Sequence, residues 1–132
     1  MHLDEFWKGR VDVDMEKYNR DLEELNSILG KYITQSESKE MFDYPVFFIN
    51  NNMFAGLHGE DLFVRLPDEA QLKIYIDQEE AYPFAPEGKI MKEYVVLPES
   101  LLSDKMLLEL WLDISFEYVS SLPPNGSNIY EI

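Results

Sequence analysis

The 132-residue chain carries 11 Lys and Arg against 26 Asp and Glu, a formal net charge of −15, and its 45% hydrophobic content is too high for a disordered acidic tail. The length suits one domain, and the charge repels polyphosphate, so direct nucleic-acid binding is not expected unless a basic patch gathers against the overall field. The absence of Cys excludes disulfides, thiol nucleophiles and Cys-based metal sites, while the lack of a signal-peptide pattern or a membrane-length apolar run makes the cytoplasm the expected compartment, with no membrane contact.

The first periodic segment runs from Asp14 to Ile33, where Tyr18, Leu22, Leu25, Leu29 and Tyr32 alternate at spacings of four and three and so share one helical stripe. Asp12 or Asp14 is the expected cap, and Thr34 to Lys39 reads as a polar linker. Val46 to Ile49, the Asn50-Asn51-Asn52 run and Met53 to Leu57 read as a hairpin, because Asn tolerates the left-handed backbone of tight turns. A bulge is expected at Gly56 and a turn at Gly59, leading to a strand over Leu62 to Leu66. Leu62, Val64 and Leu66 alternate with Phe63 and Arg65, as in a sheet with one covered face.

Pro67 to Gln71 opens a short helix with Asp68 as cap and Leu72, Tyr75 and Ile76 as its apolar face. The stretch Tyr82 to Gly88 contains Pro83 and Pro86, which break regular structure, and Tyr94 to Leu97 is the next strand. A final helix spans about Ser103 to Leu122, capped by Ser103, with a narrow polar stripe of Lys105, Glu109, Asp113 and Glu117. Its apolar arc is wider than one sheet face requires, which fits either a helix sandwiched between sheet and first helix or a homodimer formed through this helix. The expected division is a helical segment over 1–39, an α+β core over 40–124 and a tail over 125–132.

No catalytic constellation emerges. His2 and His58 stand in no metal-ligand spacing, the pairs Glu23-Glu24, Glu60-Asp61 and Glu79-Glu80 read as solvated surface, and Ser115, Ser120 and Ser121 have no neighbouring histidine. The glycines at 56 and 59 match no phosphate-binding loop. We therefore expect no enzyme activity, no cofactor and no metal. Tyr82-Pro83-Phe84 is the best groove candidate, since loops on rigid scaffolds often carry binding.

From Met41 to Leu122 the sequence resembles the N-terminal domain of the TfoX/Sxy family of competence regulators. The matching pieces are Met41-Phe42, Phe48-Ile49-Asn50, Met53 to Gly56, Leu62 to Pro67, Pro83-Phe84 with Gly88, Met91-Lys92, Tyr94 to Pro98, and Ser121 to Pro124. The resemblance implies a two-layer α+β domain similar to secretion chaperones, an antiparallel sheet with helices packed on one face. In full-length competence activators a second, C-terminal domain follows, and the activator works with the cyclic-AMP receptor protein; with the chain ending at Ile132, that one domain alone is expected here.

Met53, Arg65, Phe84, Met91 and Lys92 are positions of the resemblance, and Met53 and Phe84 also read as core. The candidate binding surface is Tyr82, Phe84, Arg65, Lys92 and Trp111. The leading expectation is a protein-binding or transcription-regulatory accessory module with an unidentified protein partner. The alternative is a small-molecule or enzymatic pocket between the Tyr82–Gly88 loop and the sheet.

Overall fold

A computed structural model describes the chain over residues 3–41 and 44–124, with side chains described at 16–32, 36–39 and 44–124. The expected tail at 125–132, Phe42 of the resemblance and Asp43 after it, His2, and the Asp12 and Asp14 side chains lie outside the described residues.

Helix α1 spans Leu3–Leu29, starting well before the expected Asp14, and stops where Gly30 takes a positive φ of 48° and the chain tightens into a 3-10 turn over Gly30–Gln35. Leu25, Leu29 and Tyr32 from the expected stripe are buried, and Lys17 pairs with Asp21 one turn on at 2.9 Å. The supposed linker is in part strand β1, Glu37–Met41, which pairs antiparallel with β2, Tyr44–Ile49. A polar edge strand has no apolar alternation, so its pattern does not distinguish it from a loop.

Asn50 and Asn51 adopt φ of 52° and 65° and turn β2 into β3, Asn52–His58, as their residue type demands. The bulge falls between Phe47 and Phe48 of β2, where Phe54 is the extra residue of β3, rather than at Gly56. This places Phe54 and Ala55 together in the core beneath the helices. Gly56 pairs regularly with Val46 and Phe63; a Cβ there would lie 2.5 Å from the Phe63 ring and 2.6 Å from Val46, so it is glycine for want of space.

Strand β4, Asp61–Arg65, leads to α2, Asp68–Asp77; Pro67 is the N-cap, Asp68 sits in the first turn, and the Gln71 amide donates to the Leu66 carbonyl at 2.8 Å. Only Ile74 of α2 is fully buried, whereas Leu72 and Ile76, expected inward, face out. A two-residue strand β5, Tyr82–Pro83, pairs with β6, Tyr94–Val96, and the sheet order is β1-β2-β3-β4-β6-β5, antiparallel throughout.

The last helical region is two helices, α3 at Glu99–Leu102 and α4 at Lys105–Ser121. Asp104 rather than Ser103 caps α4, its carboxylate accepting from the Leu107 amide at 3.2 Å, while Ser103 ends α3.

Two cores flank the sheet. Helices α1 to α4 contribute to one, which holds Leu25, Leu29, Ile74, Leu101, Trp111 and Val119 above Phe54, Leu62, Val64 and Val95, the α+β arrangement with helices on one face. The opposite face is also covered, with Val46, Phe48, Met53, Phe63 and Val96 meeting Phe84 and Met91 from the segment between β5 and β6. The strand alternation is thus apolar on both sides at its centre. Ser115 Oγ is buried within α4 without a hydrogen-bond partner among the described residues, and the Asn52 amide donates to the Pro123 carbonyl at 3.0 Å, fixing where the chain leaves α4.

Candidate functional site

The Tyr82–Gly88 loop closes down on the sheet. Phe84 is 4% exposed and stacks on Phe63 at 3.9 Å with 6° between the rings, and His58 meets its edge at 5.5 Å. The Phe84 amide donates to the Tyr94 carbonyl and the Met91 amide to the Phe84 carbonyl, each at 2.9 Å, so the segment is stitched back onto β6. The Tyr94 hydroxyl donates to the Met53 carbonyl at 3.0 Å. The space between loop and sheet is therefore filled by the protein's own Phe84 and Met91.

Arg65, at the end of β4, binds Glu93 through Nε at 2.9 Å and Nη2 at 2.8 Å. Its guanidinium lies 5.5 Å from the Tyr94 ring and 5.9 Å from that of Tyr118, whose hydroxyl donates to the other Glu93 oxygen at 2.6 Å. These contacts tie the approach to β6 to α4. Lys92 is exposed, Tyr82 is 46% exposed with its hydroxyl donating to Asp61 at 2.9 Å, and Trp111 is 1% exposed inside the main core. The five candidate residues do not converge: Tyr82 and Lys92 reach the surface, Arg65 is a half-buried staple, and Phe84 and Trp111 belong to opposite cores.

Burial pushes the Tyr94 hydroxyl up to about 12, and burial together with the Glu93 contact pushes that of Tyr118 up to about 12, from an ordinary 10.0. Raised phenol values mean that the unfolded chain releases these protons first. The stability they contribute is whole below pH ~10 and is lost as pH rises toward 12. Chemical denaturation followed across that window should show a falling midpoint accompanied by tyrosinate absorbance; a midpoint flat through pH 12 would contradict the staple.

Sequence reasoning missed a second feature, an acidic groove of about 470 Å³ at the other end of the sheet. Glu24 of α1, Glu60 of the β3–β4 turn, Asp61 at the start of β4, Glu80 before β5 and Glu99 of α3 line it, around Tyr82, Leu97, Pro98 and Leu102. Adjacent acidic pairs were visible in the sequence, but the groove gathers carboxylates from four separated stretches. Among the described residues no group of three His, Asp or Glu is placed to hold a metal ion.

Large apolar side chains also remain outside both cores. The inner side of α4 lies on β3 and β4, and its flank meets the 3-10 turn that follows α1 through a Lys31–Glu109 ion pair at 2.8 Å, a Tyr32–Asp113 hydrogen bond and the Tyr32–Phe116 rings at 5.1 Å. Burial first, and then the Asp113 carboxylate, push the Tyr32 hydroxyl upward. Helix α1 lies directly on β2 and β3 while α4 lies on β3 and β4, so the two sit side by side on the sheet and α4 is not sandwiched between sheet and first helix; its outer side leaves Met106 86% and Leu110 49% exposed. On α2, Leu72 is 67% and Ile76 78% exposed.

These features define a small α+β domain with helices on one sheet face, a loop packed on the other, and charged and apolar surfaces at its rim. The chain belongs to the TfoX N-terminal domain family, which matches residues 28–118, from the last turn of α1 through most of α4. No curated protein matches the chain. No helix among the described residues is long and apolar enough to cross a membrane.

Proposed function

We propose that this TfoX N-terminal domain is a small cytoplasmic accessory module that binds another protein and catalyses no reaction of its own. The observation that carries this reading is the set of large apolar side chains, Leu72, Ile76, Met106 and Leu110, left outside both cores on a strongly acidic chain. Membership of the family supports a regulatory setting, such as the transcriptional control exercised by competence regulators. Four of the eleven basic side chains, Lys17, Lys31, Arg65 and Lys73, each pair with a carboxylate, which weighs toward protein over nucleic acid as the partner. The alternative pocket under the Tyr82–Gly88 loop finds no support in a space that Phe84 and Met91 occupy.

Affinity capture from the native cell with the full chain should retain a saturable protein partner. Failure to retain any would overturn the reading. The same preparation, sedimented at high concentration, tests a homodimer through α4, where Lys31 offsets the charge of Glu109 and Asp113 beside Leu110. A dimer that Met106→Ser/Leu110→Ser abolishes would support it, and a monomer of 15.5 kDa would exclude it.

A further inference from the structure

Helix α2 has apolar residues on two opposite sides. At about 100° per residue, the positions two before and two after Ile74 point away from it, so burying Ile74 turns Leu72 and Ile76 outward together. Spaced by four, these two form one ridge on the outer face of α2. They contribute nothing to either core, which leaves the ridge without an internal partner.

The charges around this ridge are acidic in excess. Asp68 and Glu69 are exposed in the first turn, where they favour the helix dipole, but Glu79 and Glu80 are exposed just beyond the C-terminal end, where acidic groups are unfavourable. Helix stability does not explain that second pair. The one basic side chain of α2, Lys73, is paired with Asp77 at 2.9 Å. Glu80 also lines the groove with Glu24, Glu60, Asp61 and Glu99, so negative surface continues from the end of α2 into that groove.

We propose that the outer ridge of α2, Leu72 and Ile76 rimmed by Asp68, Glu69, Glu79 and Glu80, docks a segment of a partner protein whose apolar side chains are flanked by Lys and Arg. The proposal rests on the protein-binding reading and assigns it a site and a partner chemistry. Charge complementarity selects the occupant. A second copy would set the same acidic rim against itself across a two-fold axis and bring two chains of −15 together, and an anionic lipid surface or nucleic acid would meet the same repulsion. A basic amphipathic segment satisfies both the apolar pair and the rim.

The test uses the full chain and a labelled synthetic amphipathic helix of Leu and Lys, with a Leu and Glu helix as control, titrated at physiological salt. The Leu–Lys helix should bind saturably and the control should not. Leu72→Ser/Ile76→Ser should weaken that binding roughly tenfold or more, Glu79→Gln/Glu80→Gln should weaken it and flatten its salt dependence, and Ile90→Ser, at an exposed apolar side chain between β5 and β6, should leave it unchanged. Because all these side chains are exposed, unchanged circular dichroism and melting show that the variants fold.

Equal binding by wild type and the Leu72→Ser/Ile76→Ser variant would overturn the proposal, because it would mean attraction by net charge alone. The variants also separate this proposal from the reading beneath it. A native partner kept by the α2 variant and lost by the α4 variant would preserve protein binding and refute this site, whereas absence of a partner for wild type would remove both.

Discussion

Trp111→Ala should lower stability by about 3–5 kcal/mol, a large share of the ~5–15 kcal/mol that holds a typical domain together. The side chain is 1% exposed and sits in the core that helices α1 to α4 share over the sheet, so its removal opens a cavity that α4 cannot close without leaving β3 and β4. Thermal unfolding should show a drop of roughly 10 °C or more. Tyr82→Ala provides the contrast: its ring is half-exposed and its hydroxyl bonds Asp61 at the surface, so a change within about 0.5 kcal/mol is expected. An unchanged melt for Trp111→Ala would return this residue to the surface role that the width of the α4 apolar arc suggests.

That contrast shows what the sequence makes legible and what it leaves hidden. The hairpin from Val46 to Leu57 and the strand at Leu62–Leu66 are readable because β-branched and aromatic runs alternate between residues with a firm turn preference, Asn50-Asn51 and Gly59. Strand β1 is not, because an edge strand needs only backbone pairing and Glu37 to Glu40 carry no apolar period. The α2 face is ambiguous in principle, since Ile74 and the pair Leu72 and Ile76 lie on opposite sides of ten residues and either side can turn inward. Packing against the sheet decides it, not local periodicity.

The candidate site follows the same logic. Tyr82 is readable as a surface aromatic in a proline-rich loop, but whether Phe84, two residues on, points out or in depends on Phe63 lying opposite across the sheet face. Arg65 and Glu93 are 28 residues apart, and nothing short-range couples them; the strand pairing of β4 with β6 does. The acidic groove has no linear signature, because Glu24 and Glu99 come from elements far apart in the chain. Charge is legible as a total of −15, while its placement around an apolar ridge and a groove is a product of the fold.

Phe84→Ala should cost about 3–5 kcal/mol, which is large for a residue in a loop. Its ring is the main lid on the second sheet face, in parallel contact with Phe63 and edge contact with His58, and its backbone bonds to Tyr94 and Met91 hold the segment from β5 to β6 in place. Without the ring, Phe63 and Met91 gain solvent, and the two-residue pairing of β5 with β6 loses its anchor. Amide exchange should therefore rise first at Phe84, Met91 and Tyr94, while amides of α1 and α4 on the opposite face follow only the global loss. Phe84→Met, which keeps a flexible apolar side chain at the position, should recover part of the midpoint. A Phe84→Ala protein with unchanged stability and exchange would mean that the ring stands in solvent, and the loop would then be free to act as the groove its two prolines suggest.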